Sequence, residues 1–227
     1  MEPVILTSIA LGKSIQQRLC VESWRDKYSV YSLNKESEIN ELQEEYPWVV
    51  FVVARDTAEE IFKRPLVSID CFIKFAESIK KDVLIINADI LLTKNIEFNK
   101  EGIGVGSRWD YDDKIEDAVL LRTGFDYFYI RQEYLKYFHE FKKYYMGECW
   151  WDYMLPWVCI NNNIPMHNLN LPIAFHKKHE IRYSAYERRY MENIVMKDKE
   201  LIGFRTNNGR GLNAYVLGKI ISKFVKE

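Results

Sequence analysis

The feature that most constrains this fold is a regular alternation of apolar runs and amphipathic segments over the first ninety residues. Four apolar runs predict buried strands, at 3–10, 28–33, 48–54 and 82–92. Segments with helical periodicity or a charged helical character lie between them, at 13–25, 36–46 and 64–79. Strands that alternate with helices indicate βαβ units and a largely parallel sheet covered on both faces. We therefore predict an α/β, Rossmann-like fold.

The alternation becomes less regular after residue 100. We predict strands at 103–113 and 118–130 and a helix at 131–145. A tryptophan-rich helix at 150–163 and two short extended pieces at 164–169 and 171–176 follow. A tail of two helices, broken by a turn at 206–211, completes the chain. No linker-like stretch separates these parts, so we predict one domain over residues 1–227. Within it we predict a nucleotide-binding half at 1–100, a half that binds the acceptor and the metal at 101–180, and a basic helical tail at 181–227.

Charge is unevenly distributed along the chain. The formal net charge is -1, yet residues 177–227 hold twelve Lys and Arg against six Asp and Glu. A basic tail indicates either a partner that carries phosphate or an ordinary solvated face.

The cysteines and the apolar runs indicate the cellular compartment. The four cysteines have no CxxC spacing, and the N-terminus has no signal-peptide pattern, which predicts reduced thiols in a cytoplasmic protein. The longest apolar run, at 48–54, is far shorter than the roughly 20 residues of a membrane span. We therefore predict no membrane span. The sequence does not indicate an oligomeric state.

Polar residues follow the predicted strands at the sheet edge where α/β proteins bind ligands. Thr7 and Ser8 follow the first strand, and Asn87 and Asp89 follow the fourth. Such oxygen ligands suit Mg²⁺ or Mn²⁺ together with nucleotide phosphates. The alternative is an Asx turn or a helix cap.

The segment GECWWDYMLP, at 147–156, places an aspartate directly after two tryptophans. Asp152 has three interpretations: it caps a helix that starts at Tyr153, it pairs with an arginine, or it is a pocket carboxylate. In the third case Trp150 and Trp151 form an apolar floor for a sugar ring. Partial desolvation would raise the pKa of Asp152 toward that of a useful general base.

Two histidines follow in AFHKKH. His176 is either a metal ligand or a hydrogen-bonded histidine, and His179 by itself is better explained as a surface residue. The neighbouring lysines could neutralise phosphate. Gly-rich fingerprints of dinucleotide-binding and P-loop proteins are absent from the sequence, which disfavours both classes.

Taken in order, the Asn-x-Asp element, GFDYFYI, WWDYMLP and AFHKKH make the chain resemble nucleotide-sugar glycosyltransferases of the GT-A fold. More narrowly, it is similar to small GT-A-like proteins of bacteria and their viruses. The resemblance covers roughly residues 3–180, and WWDYMLP is its most specific element. The family segment often has proline before the tryptophan pair, where this chain has Cys149.

The resemblance implies a metal-dependent transfer of sugar from a nucleoside diphosphate sugar. Asp89 would match the metal-binding aspartate of the DxD motif and hold Mn²⁺ or Mg²⁺, while Asn87 replaces the first aspartate. His176 would be the second metal ligand. Candidate substrate-binding residues are Thr7, Ser8, Arg64, Asn87, Arg108, Trp150, Trp151, Lys178 and His179. Within this set, Lys178 and His179 would stabilise the diphosphate leaving group.

The implied catalytic residues are Asp126 and Asp152, which would face the donor sugar and the acceptor. Asp152 would be the base of an inverting reaction or an orienting group in a retaining one. The acceptor is expected to be a glycan or a modified base of viral DNA. Two other functions stay open: a nucleotidyltransferase, and a non-catalytic protein that binds a sugar nucleotide or a partner.

Overall fold

The computed structural model describes residues 2–12, 14–121, 124–139, 143–169, 172–179, 184–197 and 214–226. The strands of the first half are β1 (Val4–Thr7), β2 (Val30–Asn34), β3 (Val50–Val53), β4 (Val83–Ile86) and β5 (Ile90–Leu92). Those of the second half are β6 (Ile103–Gly106), β7 (Trp109–Tyr111), β8 (Val119–Leu120), β9 (Tyr127–Ile130), β10 (Met166–Asn168), β11 (Ala174–Lys177) and β12 (Val225–Lys226).

The α-helices are α1 (Ile15–Glu22), α2 (Glu36–Glu45), α3 (Glu59–Phe62), α4 (Ile69–Ile79), α5 (Trp151–Asn161), α6 (Ala185–Lys197) and α7 (Ala214–Ile221). Short 3-10 helices occur at Ile115–Asp117 and Gln132–Tyr137. Helix α4 illustrates how the sequence specifies them. Ser68 caps its N-terminus by accepting a hydrogen bond from the Asp70 backbone, and its apolar residues recur at helical spacing and are buried.

The central sheet has the strand order β12-β10-β6-β9-β4-β1-β2-β3. Every pair in it is parallel except the two that β9 makes, since β9 runs antiparallel to β4 and to β6. A second sheet has the strand order β5-β11-β7-β8, and along the chain β5 follows β4 and β7 follows β6. The predicted α/β fold with a mostly parallel central sheet flanked by helices is therefore confirmed.

Apolar cores lie on both faces of the central sheet because successive strand residues point to opposite sides. Ile5 and Leu84 pack with Trp24 on one face. Leu6 packs with Phe72 and the α5 helix on the other. Burial on both faces explains why these strands are runs of Val, Ile and Leu without polar alternation.

Two sequence predictions about the second half need correction. In the described part of the helix predicted at 131–145, helical structure is limited to the 3-10 helix Gln132–Tyr137, and Tyr145 instead forms a β-bridge with Ser68. Ile69 donates to the Tyr144 carbonyl at 2.8 Å, and Met146 donates to that of Val67 at 2.9 Å. The tail is helical as predicted in α6 and α7, but it ends in β12, which pairs with β10. The predicted turn at 206–211 lies outside the described residues.

The remaining predictions about organisation are tested only in part. Among the described residues, no helix combines the length and apolar character needed to cross a membrane. The four cysteines are free thiols. The division at residues 100 and 180 and the cytoplasmic location stay predictions.

Candidate active site

The candidate site begins where β4 ends. Asn87 follows β4, and its backbone N–H donates to the Asp126 carbonyl at 3.2 Å, while its own carbonyl accepts from Ile90 at 3.2 Å. This turn sends the chain into β5, which pairs antiparallel with β11 so that Ile90 lies opposite His176. The register explains how Asp89 and a histidine nearly ninety residues later come to the same place.

Asp89, His176 and His179 each contribute one potential metal-ligand atom to a compact cluster. These atoms all lie within 4.8 Å of one another. The Asp89 Oδ2 atom is 3.3 Å from His179 Nε2 and 3.7 Å from His176 Nε2. Burial alone would raise the pKa of Asp89, but the nearby imidazole of His176 and the hydrogen bond with His179 outweigh it and hold that pKa well below its usual range.

This cluster fits a divalent cation. The Asp89 Oδ1 atom is buried and has no hydrogen-bond partner in the part of the chain that the structure describes. A buried carboxylate oxygen without a partner is costly unless an ion or a ligand contacts it. One carboxylate and two imidazoles are a common donor set for divalent metals.

Asp110 holds the more buried of the two histidines. Its Oδ1 atom lies 2.9 Å from His176 Nδ1, and β7 and β11 are paired so that the two residues face each other. Burial would lower the pKa of His176, but the hydrogen bond to Asp110 and the nearby carboxylate of Asp89 outweigh it and raise that pKa to about 8. Because Asp110 accepts at Nδ1, the other ring nitrogen is turned toward Asp89.

Arg108 joins this histidine to a second carboxylate. Its Nε atom is 2.7 Å from Asp110 Oδ1, and its Nη1 atom is 2.6 Å from Asp126 Oδ1. Burial opposes the charge of the guanidinium, but the two carboxylates outweigh it and raise the pKa of Arg108 further. Asn87 also donates to Asp126, at 3.2 Å, while Asp126 Oδ2 is buried without a partner among the described residues.

Asp152 stands beside Asp126 in the first turn of α5. Its pKa is raised to about 8, mainly by burial and next by the negative charge of Asp126. Hydrogen bonds from the backbone of Asp152 itself and of Phe125, and the charge of Arg108, oppose that rise without cancelling it. A carboxyl group with such a pKa can accept or deliver a proton near neutral pH.

The structure corrects two expectations about the tryptophan segment. Helix α5 starts at Trp151 with Trp150 at the N-cap in a left-handed conformation (φ 81°), so Asp152 is not the cap. Trp150 and Trp151 are 5% and 3% exposed and belong to the apolar core. Trp151 packs edge-on against Phe128, with 5.7 Å between ring centroids. Neither ring presents an open face on which a sugar could stack.

Arg64 and Lys178, predicted to bind substrate, already have carboxylate partners. Arg64 Nη2 is 2.8 Å from Glu148 and 2.7 Å from Glu187, which ties the segment before Asp152 to helix α6. Lys178 is 2.7 Å from Asp112 at the surface. Their contacts with a diphosphate stay predictions.

Thr7 and Ser8 lie where predicted, at the carboxyl end of β1. Thr7 is fully buried, and its hydroxyl oxygen has no partner among the described residues. The loop that follows is held by side chains, since Ile9 N–H donates to Ser32 at 3.0 Å and Ala10 N–H donates to Gln17 at 3.1 Å. A nucleoside contact by Thr7 or Ser8 stays a prediction.

The sequence interpretation missed Asp110 and Glu148. Asp110 lies two residues after Arg108, so on a strand both side chains lie on one face, and that spacing was the available signal. Glu148 directly precedes the tryptophan segment, but nothing near it in the sequence indicates its partner, which lies 84 residues away.

Comparisons with known proteins give remote similarities only. No protein-family model matches the sequence, and no curated protein matches it. Among solved structures, CTP:phosphocholine cytidylyltransferase from Streptococcus pneumoniae is similar, with a TM-score of 0.43 and 14% identity over 85% of this chain and 98% of that one. A Bacillus anthracis protein assigned as a glucose-1-phosphate thymidylyltransferase has a TM-score of 0.35 and 9% identity over 60% and 73%. Similarities this remote assign no activity.

Proposed function

We propose that the protein is a metal-dependent glycosyltransferase that moves a sugar from a nucleoside diphosphate sugar to an acceptor hydroxyl. One observation carries this proposal: Arg108 connects the cluster around Asp89, which fits a cation, with a pair of carboxyl groups, one of which has a pKa of about 8. Glycosyl transfer needs both parts, since a diphosphate must be stabilised as it leaves and an acceptor hydroxyl must lose a proton.

The donor would bind along the carboxyl ends of β1 and β4. Thr7 and Ser8 would lie beside the nucleoside, and the diphosphate would face Asp89, His176 and His179. A Mn²⁺ or Mg²⁺ ion held by Asp89 and His176 would supply electrophilic stabilisation of the phosphate oxygens. Lys178 and Arg64 would add positive charge near the diphosphate if they exchange their present carboxylate partners for phosphate oxygens.

On the acceptor side, Asp126 and Asp152 would act on the reacting groups. In an inverting reaction, Asp152 takes the proton of the acceptor hydroxyl while that oxygen bonds to the anomeric carbon and the carbon–oxygen bond to the diphosphate breaks. In a retaining reaction, Asp152 would orient the acceptor or the donor. Asp126, fixed by Arg108 and Asn87, would hydrogen-bond the donor sugar.

A nucleotidyltransferase is the competing function. Such enzymes usually bind a nucleoside triphosphate with backbone N–H groups of a Gly-rich loop after the first strand. Here the N–H groups of Ile9 and Ala10 in that loop donate to Ser32 and Gln17, so they are not available to phosphate. This observation favours the glycosyltransferase. Release of pyrophosphate from a nucleoside triphosphate would reverse the preference.

The acceptor is proposed to be a glycan or a modified DNA base. DNA would use the basic tail, much of which lies outside the described residues. Binding to DNA would weaken steeply as salt rises, because counterions are released from the phosphates. A glycan acceptor would show no such salt dependence.

The test combines donor binding with transfer. The protein is incubated with MnCl₂ and a panel of nucleoside diphosphates and sugar nucleotides, and the melting temperature and sugar-nucleotide hydrolysis are measured. Stabilisation by one nucleoside diphosphate is expected, and no shift with any of them would disprove the donor site. The Asp152→Asn variant should keep donor binding and lose transfer. Full activity in that variant would remove Asp152 from the mechanism.

A further inference from the structure

We propose that His179 is a third protein ligand of the cation, so that the protein holds a transition-metal ion before any nucleotide binds. This inference rests on the metal use in the proposed function and extends it in two respects. It assigns to His179 a metal contact where the family resemblance implied a diphosphate contact. It also favours ions that accept imidazole, such as Mn²⁺, Co²⁺ or Zn²⁺, over Mg²⁺.

The ligand atoms of the three residues lie close to the spacing of a coordination sphere, all within 4.8 Å of one another. Two atoms that each lie about 2.1 Å from one metal, at tetrahedral or octahedral angles, are about 3.0 to 3.4 Å apart. The Asp89 Oδ2 atom is 3.3 Å from His179 Nε2 and 3.7 Å from His176 Nε2. The Asp89 and His179 atoms therefore have the separation of two ligands of one ion, and His176 Nε2 lies a few tenths of an ångström beyond it. The His176 and His179 rings are 5.0 Å apart and steeply inclined, which keeps them from stacking on each other.

The surroundings of the cluster are those of a prepared metal site. Asp110 accepts from His176 Nδ1 and is itself held by Arg108, so the ring orientation is fixed by two successive contacts. Carboxylates that hold metal-binding histidines in this way raise metal affinity. The Asp89 Oδ1 atom, which has no hydrogen-bond partner among the described residues, offers a further contact to the ion.

The donor set decides which cation fits. Mg²⁺ prefers oxygen ligands and keeps several waters, whereas imidazole suits first-row transition metals. Two imidazoles and one carboxylate therefore select against Mg²⁺. Three protein ligands leave coordination positions for diphosphate oxygens, so the donor would join an ion that is already bound.

The test measures metal binding without nucleotide. Full-length protein is stripped with EDTA, dialysed and titrated calorimetrically with MnCl₂ and separately with MgCl₂. We expect one Mn²⁺ per chain and an affinity for Mg²⁺ at least tenfold weaker. Titration with CoCl₂ should give a visible absorption band that reports nitrogen ligands and protein-imposed geometry.

Variants assign the ligands. His179→Ala should weaken Mn²⁺ binding at least tenfold, and because His179 is partly exposed the variant is expected to fold. The matched control is His139→Ala. His139 is exposed, and its ion-pair partner among the described residues is Glu77. This control should bind Mn²⁺ as the unmodified protein does. A circular dichroism spectrum of each variant checks the fold.

Failures of the two proposals are distinguishable. The inference is overturned if His179→Ala binds Mn²⁺ unchanged, if Mg²⁺ binds as tightly, or if Mn²⁺ binds only when UDP or another nucleoside diphosphate is present. Glycosyl transfer could still occur in each of those cases. Conversely, nucleotide-independent binding of Mn²⁺ through His179 supports the inference even if no sugar nucleotide is hydrolysed.

Discussion

His176 Nδ1 lies 2.9 Å from Asp110 Oδ1, and Arg108 Nε contacts the same oxygen at 2.7 Å. The carboxylate thus receives a hydrogen bond from the imidazole on one side and from the guanidinium on the other. It holds the imidazole with its second nitrogen toward Asp89. Through Arg108 the arrangement continues to Asp126 at 2.6 Å, so the metal-binding and carboxyl parts of the site are one connected structure.

Replacing Asp110 with Asn should weaken metal binding without unfolding the protein. Loss of the charged acceptor frees the His176 ring, and loss of such a partner typically costs tenfold to hundredfold in metal affinity. We expect about a tenfold weaker Mn²⁺ affinity by calorimetry. Asp113→Asn, at an exposed position just after the end of β7, is the control and should leave the affinity unchanged. Equal affinities in the two variants would show that Asp110 does not position the histidine.

Asp152 should make stability depend on pH. Its folded-state pKa of about 8 is above the ordinary value of 3.8, so the native protein keeps a proton that the unfolded chain releases. The associated stabilisation is complete below about pH 4 and is lost as pH rises toward about 8. The asparagine of the Asp152→Asn variant cannot titrate. The free energy of unfolding of the variant should therefore rise relative to that of the unmodified protein as pH increases, by up to about 1.4 kcal/mol per pH unit.

Urea unfolding of the Asp152→Asn variant and the unmodified protein at about pH 5 and about pH 7.5 checks this expectation. Asp117→Asn, at an exposed position, serves as control and should show no such growth. A constant difference between the two pH values would mean that Asp152 is ionised in the folded protein throughout this range.

Arg64→Met should destabilise the fold. Arg64 is the partner of Glu148, whose side chain is fully buried, and removing it leaves an uncompensated buried charge. We expect a loss of about 3 kcal/mol in the free energy of unfolding, measured by urea denaturation. The double variant Arg64→Met with Glu148→Gln should recover part of this loss. If the single and double variants are equally stable, the ion pair has no structural role.

Trp151→Ala should also destabilise the protein, because Trp151 packs in the core against Phe128. Removing a buried tryptophan typically costs about 3 to 5 kcal/mol. Trp48→Ala is the comparison, since Trp48 is only partly buried and its loss should cost less. A stable Trp151→Ala variant that had lost sugar binding would restore the stacking role expected from the sequence.

The local pattern of apolar residues predicted secondary structure correctly where burial of a segment's own residues determines its structure. The runs of Val, Ile and Leu predicted β1 to β4, and helical spacing predicted α4, because burial on both sheet faces and on one helix face is recorded in the sequence. It failed at the end of 131–145, where the Tyr144 carbonyl accepts from Ile69 and Tyr145 forms a bridge with Ser68. The sequence indicated that Trp150 and Trp151 form a surface for a ligand, but both side chains are buried in the core.

The sequence by itself determined the layered α/β architecture, the end of β4 as the location of Asp89, and the presence of His176 and Asp152 as chemically suitable groups. Tertiary structure alone decided which groups meet: Asp110 with His176, Arg108 with Asp126, and Arg64 with Glu148. The physical reason is that apolar periodicity can be seen in a short stretch of sequence, whereas hydrogen bonds, ion pairs and pKa values depend on distances in space. Those distances arise from the order and pairing of strands that are far apart in the chain.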